Sequence, residues 1–92
     1  MILKNIIIIN ASSPYGGAIG NQGKLTIINS TLAYNTASKS GGAIRNVYGT
    51  LNLINSTLAN NTSPSGGVID NEGSTTIITH SLLANNTAKW EE

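Results

Sequence analysis

Apolar residues along this chain alternate with polar ones over short stretches and never sustain a helical period. Leu25-Thr26-Ile27, Leu51-Asn52-Leu53 and Thr75-Thr76-Ile77 each read as a strand with alternate side chains on one face. Gly or Asn interrupts the pattern every few residues, and β-branched residues dominate between the interruptions. The pattern predicts many short strands joined by tight turns, and no helix.

The strands belong to a repeat. Gly16-Gly17-Ala18-Ile19, Gly41-Gly42-Ala43-Ile44 and Gly66-Gly67-Val68-Ile69 stand 25 residues apart. After each comes an Asn (Asn21, Asn46, Asn71), a third Gly (Gly23, Gly49, Gly73) and the alternating strand. A Leu-x-x-Asn element closes each block, at Leu32 to Asn35, Leu58 to Asn61 and Leu83 to Asn86. A fixed period of this length marks a solenoid, in which each repeat buries its apolar face against its neighbours. The expected fold is all-β: a right-handed parallel β-helix of about three and a half coils, each roughly 25 residues long. It would form one domain over 1–92, with a half coil at 1–15, coils at 16–40, 41–65 and 66–88, and a polar tail at 89–92. One extra residue is expected near Val47-Tyr48, and another between Ile77 and Leu83. Ile7-Ile8-Ile9-Asn10 reads as the same Ile/Leu-x-x-Asn element. A leucine-rich repeat has a similar period but needs a tighter frame than Leu25 to Asn35 supplies.

Equivalent residues of successive coils stack about 4.8 Å apart, so the repeat alignment becomes a contact map. Leu25-Leu51-Thr75, Ile27-Leu53-Ile77 and Ile19-Ile44-Ile69 are expected as inward columns. Asn21-Asn46-Asn71 and Asn10-Asn35-Asn61-Asn86 are expected as amide ladders at the turns, where Asn tolerates left-handed backbone. The competing reading makes these asparagines a carbohydrate-binding surface; the ladder is preferred because the positions recur in every coil beside Gly. Ile28, Ile54 and Ile78 follow inward residues, and are either corner residues or an exposed apolar stripe.

Gly-Gly-Ala-Ile followed by Leu-x-x-Asn resembles the repeat of polymorphic outer-membrane proteins, found in autotransporter passengers and adhesin-like proteins. The resemblance runs through 16–19, 41–44 and 66–69 together with 7–10, 32–35, 58–61 and 83–86, although Leu or Ile stands where that family commonly has Phe. It implies a pectin-lyase-like right-handed β-helix and an extracellular or cell-surface location. It assigns no ligand, so a host-surface or carbohydrate partner stays unspecified.

Composition narrows the function further. Formal charge is +1 and only 10% of residues are charged, which lacks the basic stripe of a nucleic-acid binder. Cysteine is absent, which removes disulfides and thiolate metal sites. The apolar run Ile6 to Ile9 is too short for a signal peptide core or a membrane span. Gly20, Arg45 and Asp70 share one register position, so Arg45 and Asp70 form a cross-coil ion pair. Asp70 and Glu72 are expected on opposite faces of an extended segment, which leaves no carboxylate cluster for acid/base or calcium chemistry. His80 has no neighbouring ligand type and reads as a hydrogen-bonded turn residue. Asn-x-Ser/Thr occurs at Asn10, Asn29, Asn55, Asn60, Asn61 and Asn85, a pattern that repetition copies without implying glycosylation. Tyr15, Tyr34 and Tyr48 share no register, so no aromatic sugar-stacking ladder is expected. Neither end reads as a cap, although Trp90 could fold over the last coil, and the chain is expected to be a piece of a longer solenoid or to self-associate through its coil ends. The leading function is a non-catalytic structural and adhesive module with no cofactor or metal. The alternatives are a fragment of a polysaccharide-active enzyme and a purely structural, self-associating repeat.

Overall fold

The computed structural model describes residues 1–64 and 68–88. Ser65, Gly66 and Gly67, and the tail Lys89-Trp90-Glu91-Glu92, lie outside the described residues, and with them the third Gly-Gly pair and the expected Trp90 cap. No helix occurs among the described residues.

The chain winds through strands in a repeating order. First come β1 (Ile2–Lys4), β2 (Ile7–Ile9) and β3 (Ser12–Tyr15). The next turn holds β4 (Ile19–Asn21), β5 (Lys24–Ile28), β6 (Thr31–Ala33) and β7 (Thr36–Ser40). A further turn repeats it with β8 (Ile44–Val47), β9 (Thr50–Ile54), β10 (Thr57–Ala59) and β11 (Thr62–Ser63). The last has β12 (Ile69–Glu72), β13 (Thr75–Thr79), β14 (Leu82–Ala84) and β15 (Thr87–Ala88). Every pairing is parallel and joins a strand to its counterpart one turn away. The result is a β-solenoid of about three turns with four parallel sheets. Sheet one is β1-β5-β9-β13, sheet two β2-β6-β10-β14, sheet three β3-β7-β11-β15 and sheet four β4-β8-β12.

Four corners separate the sheets, and left-handed residues make them. Asn5, Asn29, Asn55 and His80 follow the strands of sheet one with φ of 57°, 51°, 48° and 48°. Asn10, Tyr34, Asn60 and Asn85 follow sheet two with φ of 59°, 58°, 58° and 56°. Gly16 and Gly41 precede sheet four, and Tyr48 and Gly73 follow it in the later turns. Asn suits such positions because its short polar side chain tolerates φ > 0. The Gly pair divides its work: Gly41 takes φ of 72°, while a Cβ on Gly42 would fall 3.0 Å from the backbone N of Thr62.

Inside, Leu25, Ile27, Leu32, Ala43, Ile44, Leu51, Leu53 and Leu58 form the buried core, with Leu3, Ile8, Ala18, Ile19, Val68 and Ile69 packed against it. The pairing register corrects three expectations. Thr76 and Ile78, not Thr75 and Ile77, continue the columns of Leu51 and Leu53. The middle and last turns therefore run at a constant spacing of 25 through this region, and the last turn's extra residue sits at the same corner as the middle turn's, where Gly73 matches Tyr48. Paired Thr75-Thr76 and Ile77-Ile78 satisfy alternation in either register, so the strand alone could not choose. Second, Ile78 is inward, and the column of Ile28 and Ile54 is completed by Lys4 and Thr79. Ile28 and Ile54 are half-buried beside the Asn corner, and among the described residues this column forms no continuous apolar stripe. Third, Ile8 rather than Ile7 pairs with Leu32, which places Ala11 opposite Asn35 and puts Asn10 in the corner column with Tyr34.

Candidate functional site

Polar side chains collect in two kinds of place, ladders inside the stack and a charged group outside sheet four. In the first ladder, Asn21 Nδ2 donates to Asn46 Oδ1 at 2.8 Å, and Asn46 Nδ2 to Asn71 Oδ1 at 3.3 Å. The same Nδ2 groups reach the carbonyls of Thr50 and Thr75 at 3.3 Å. The second ladder binds backbone as well. Asn35 Oδ1 accepts from Ala11 N–H, Asn61 Oδ1 from Asn35 N–H and Asn86 Oδ1 from Asn61 N–H, each at 2.9 Å. Their Nδ2 groups donate to the carbonyls of Ile8, Leu32 and Leu58. Asn10 has no part in it. Asn35, Asn46 and Asn61 are fully buried and offer no surface to a carbohydrate, whereas Asn21 and Asn86 are half-buried and Asn71 is exposed.

A third ladder escaped the sequence reading. Ser30 Oγ accepts from Ile6 N–H, Ser56 Oγ from Ser30 N–H and Ser81 Oγ from Ser56 N–H, at 3.0–3.2 Å. Each hydroxyl donates in turn to the carbonyl two residues earlier, that of Ile28, Ile54 or Thr79. This gives every letter of the repeated Asn-Ser-Thr a structural role: Asn turns the corner, Ser joins the coils, Thr opens the next strand. Among the described residues no buried side-chain polar atom lacks a partner, as a dense polar interior requires. The recurring Asn-Ser-Thr was the available signal, and its reading as a glycosylation sequon hid the serine. Of the sequon asparagines, Asn10, Asn29, Asn55 and Asn85 are exposed and Asn60 is half-buried, while Asn61 is sealed in its ladder.

The charged group lies on the outer side of sheet four. β4, β8 and β12 bring Gly20, Arg45 and Asp70 into one column. Arg45 Nε stands 3.6 Å from Asp70 Oδ2, and Nη2 stands 3.1 Å from Glu72 Oε2. Asp70 and Glu72 thus share the outward face, against expectation, because residues two apart on a strand point the same way. Ser40 Oγ donates to Asp70 Oδ2 at 2.7 Å, and the Arg45 guanidinium lies 4.3 Å from the centre of the Tyr15 ring. Partly exposed surface pairs of this kind contribute about 0–1 kcal/mol each. An open cavity of about 330 Å³ adjoins the group, lined by Tyr15, Gly20, Asn21, Gln22, Arg45 and Val47.

The remaining candidates stand apart. Tyr34 and Tyr48 are exposed, on different corners. His80 turns its corner in the place of Asn29 and Asn55. No cluster of three or more His, Cys, Asp or Glu that could hold a metal occurs among the described residues.

Comparison with protein-family models, with curated proteins and with solved structures gave no significant match.

Proposed function

We propose that this chain is a non-catalytic structural and adhesive module of a cell-surface or secreted repeat protein, whose turns serve as spacer and display surface. One observation carries the reading. Sheet two keeps Thr31 with Thr57 and Ala33 with Ala59 and Ala84 on its outer side, but on sheets one and four the repeated side chains point mainly inward, into apolar columns and polar ladders, and several outward columns change. Gly20, Arg45 and Asp70 share one such column; Thr26, Asn52 and Ile77 share another. On these two sheets repetition serves stacking, and part of the exterior varies. Such a division suits a scaffold, whose length and variable face matter more than any one group. The resemblance of Gly-Gly-Ala-Ile and Leu-x-x-Asn to the polymorphic outer-membrane protein repeat supports surface display.

The test couples adhesion with turnover. Beads carrying the chain are passed over surfaces coated with polysaccharide, mucin or matrix protein, and retention is compared with beads carrying an inert protein. The same chain is incubated with polyuronates and neutral glycans while new reducing ends and unsaturated products are followed. Selective retention without turnover is the expected result. Product formation that scales with chain concentration would replace this reading by a polysaccharide-active one.

A further inference from the structure

At one place on sheet four the outward column loses its side chain. Gly20 stands where the next turns carry Arg45 and Asp70, and a Cβ built on it would meet nothing within 4 Å. That space opens into the 330 Å³ cavity, near the lower bound of ordinary small-ligand pockets, roughly 300–1,000 Å³. Its walls are of two kinds. Tyr15, Val47 and the bare Gly20 backbone give an apolar side, while Gln22 and Arg45 give a polar one beside Asn21, whose amide is held in its ladder. Tyr15 remains 46% exposed although Arg45 leans on its ring.

Charge decides what the cavity can hold. Arg45 is already matched by Glu72 at 3.1 Å and Asp70 at 3.6 Å. An anion would meet two carboxylates behind the guanidinium, and a cation would meet the guanidinium itself. What fits is an uncharged ligand with hydroxyls on its edges and a C–H face for the aromatic ring. We propose that this cavity binds a neutral saccharide unit, with Tyr15 against its apolar face and Gln22 and Arg45 bonding its hydroxyls. The proposal rests on the adhesive reading above and gives it a ligand class and a place.

Saturation-transfer NMR on the intact chain tests it, with neutral trisaccharides of glucose, xylose and N-acetylglucosamine as probes and a galacturonate trimer as the charged control. Transfer to at least one neutral probe, weaker transfer to galacturonate, and a loss of affinity of about tenfold or more in Gly20→Leu are expected. Gly20 faces open space, so this variant fills the cavity without touching the core, and an unchanged circular dichroism spectrum verifies the fold. Tyr15→Ala should weaken binding in the same order of probes. The proposal is overturned if no neutral probe binds, or if binding persists in both variants. Persistence would place glycan adhesion on another face and leave the module reading standing. Absence of all saccharide binding alongside retention on protein-coated beads would likewise remove the pocket alone.

Discussion

The middle and last turns are built on one frame, yet they differ in what they bury. Leu53 and Leu58 are fully buried, whereas Ile78 and Leu83, the next residues in the same columns, are 45% and 37% exposed. Among the described residues both turns have their strands and ladder positions in place, and the last turn has its corners at Gly73, His80 and Asn85. What separates them is cover: the middle side chains are packed from both neighbouring turns, and the later ones from one side only among the described residues. Burial in this fold is a property of the stack, and a single turn does not own its core.

The sharpest way to break that comparison is to truncate equivalent side chains. Leu53→Ala should cost about 2–5 kcal/mol, because it opens a cavity that neighbours on both sides cannot fill. Ile78→Ala should cost about 1 kcal/mol or less, since its side chain is still partly in water. Urea unfolding with an unchanged slope reads both, and equal losses would contradict burial by stacking. Next in size are the ladders. Asn61→Leu strands the Asn35 N–H and the Leu32 carbonyl inside the stack, each group costing about 1–3 kcal/mol. Asn86→Leu removes the corresponding bonds from the Asn61 N–H and the Leu58 carbonyl, but Asn86 itself is only half-buried, so water reaches its place more easily and the cost should be smaller. A reversed order would mean that the ladder acts through something other than desolvation. The smallest effect belongs to His80→Asn, which restores the corner residue of the earlier turns. It should raise stability by less than about 0.5 kcal/mol, and a loss would show that the imidazole does more than turn the chain.

Much of this was legible in the sequence, and the exceptions have physical causes. Gly16-Gly17 and Gly41-Gly42 marked the period because a left-handed residue followed by a crowded one leaves little choice but glycine. Leu25, Leu51, Ile27 and Leu53 showed their inward face by alternation. The last turn's register was hidden because Thr75-Thr76 and Ile77-Ile78 offer the same residue to both faces, and only the corner at Tyr48 and Gly73 fixes it. Asn10 misled for a similar reason, since the Ile6 to Ile9 run matches its neighbour in more than one register. Tyr34 and Tyr48 could not be foreseen as corner residues, because left-handed backbone is uncommon for tyrosine. The outer group was half legible. Register joined Arg45 to Asp70, but the cavity beside Gly20 depends on a side chain that is missing, and alternation along one strand does not reveal what an adjacent turn leaves open.

The serine and asparagine ladders run in the same direction as the backbone bonds between turns, along the axis of the stack. Tension between the two chain ends would therefore peel one layer at a time, with the remaining layers still closed. Each layer released would add about 85 Å of contour, from 25 residues at roughly 3.4 Å each. In an optical trap the extension should be a staircase of similar steps, and a single cooperative rip would refute it. A stack of this kind yields by lengthening, and it absorbs a pull at one end before the opposite end has to move.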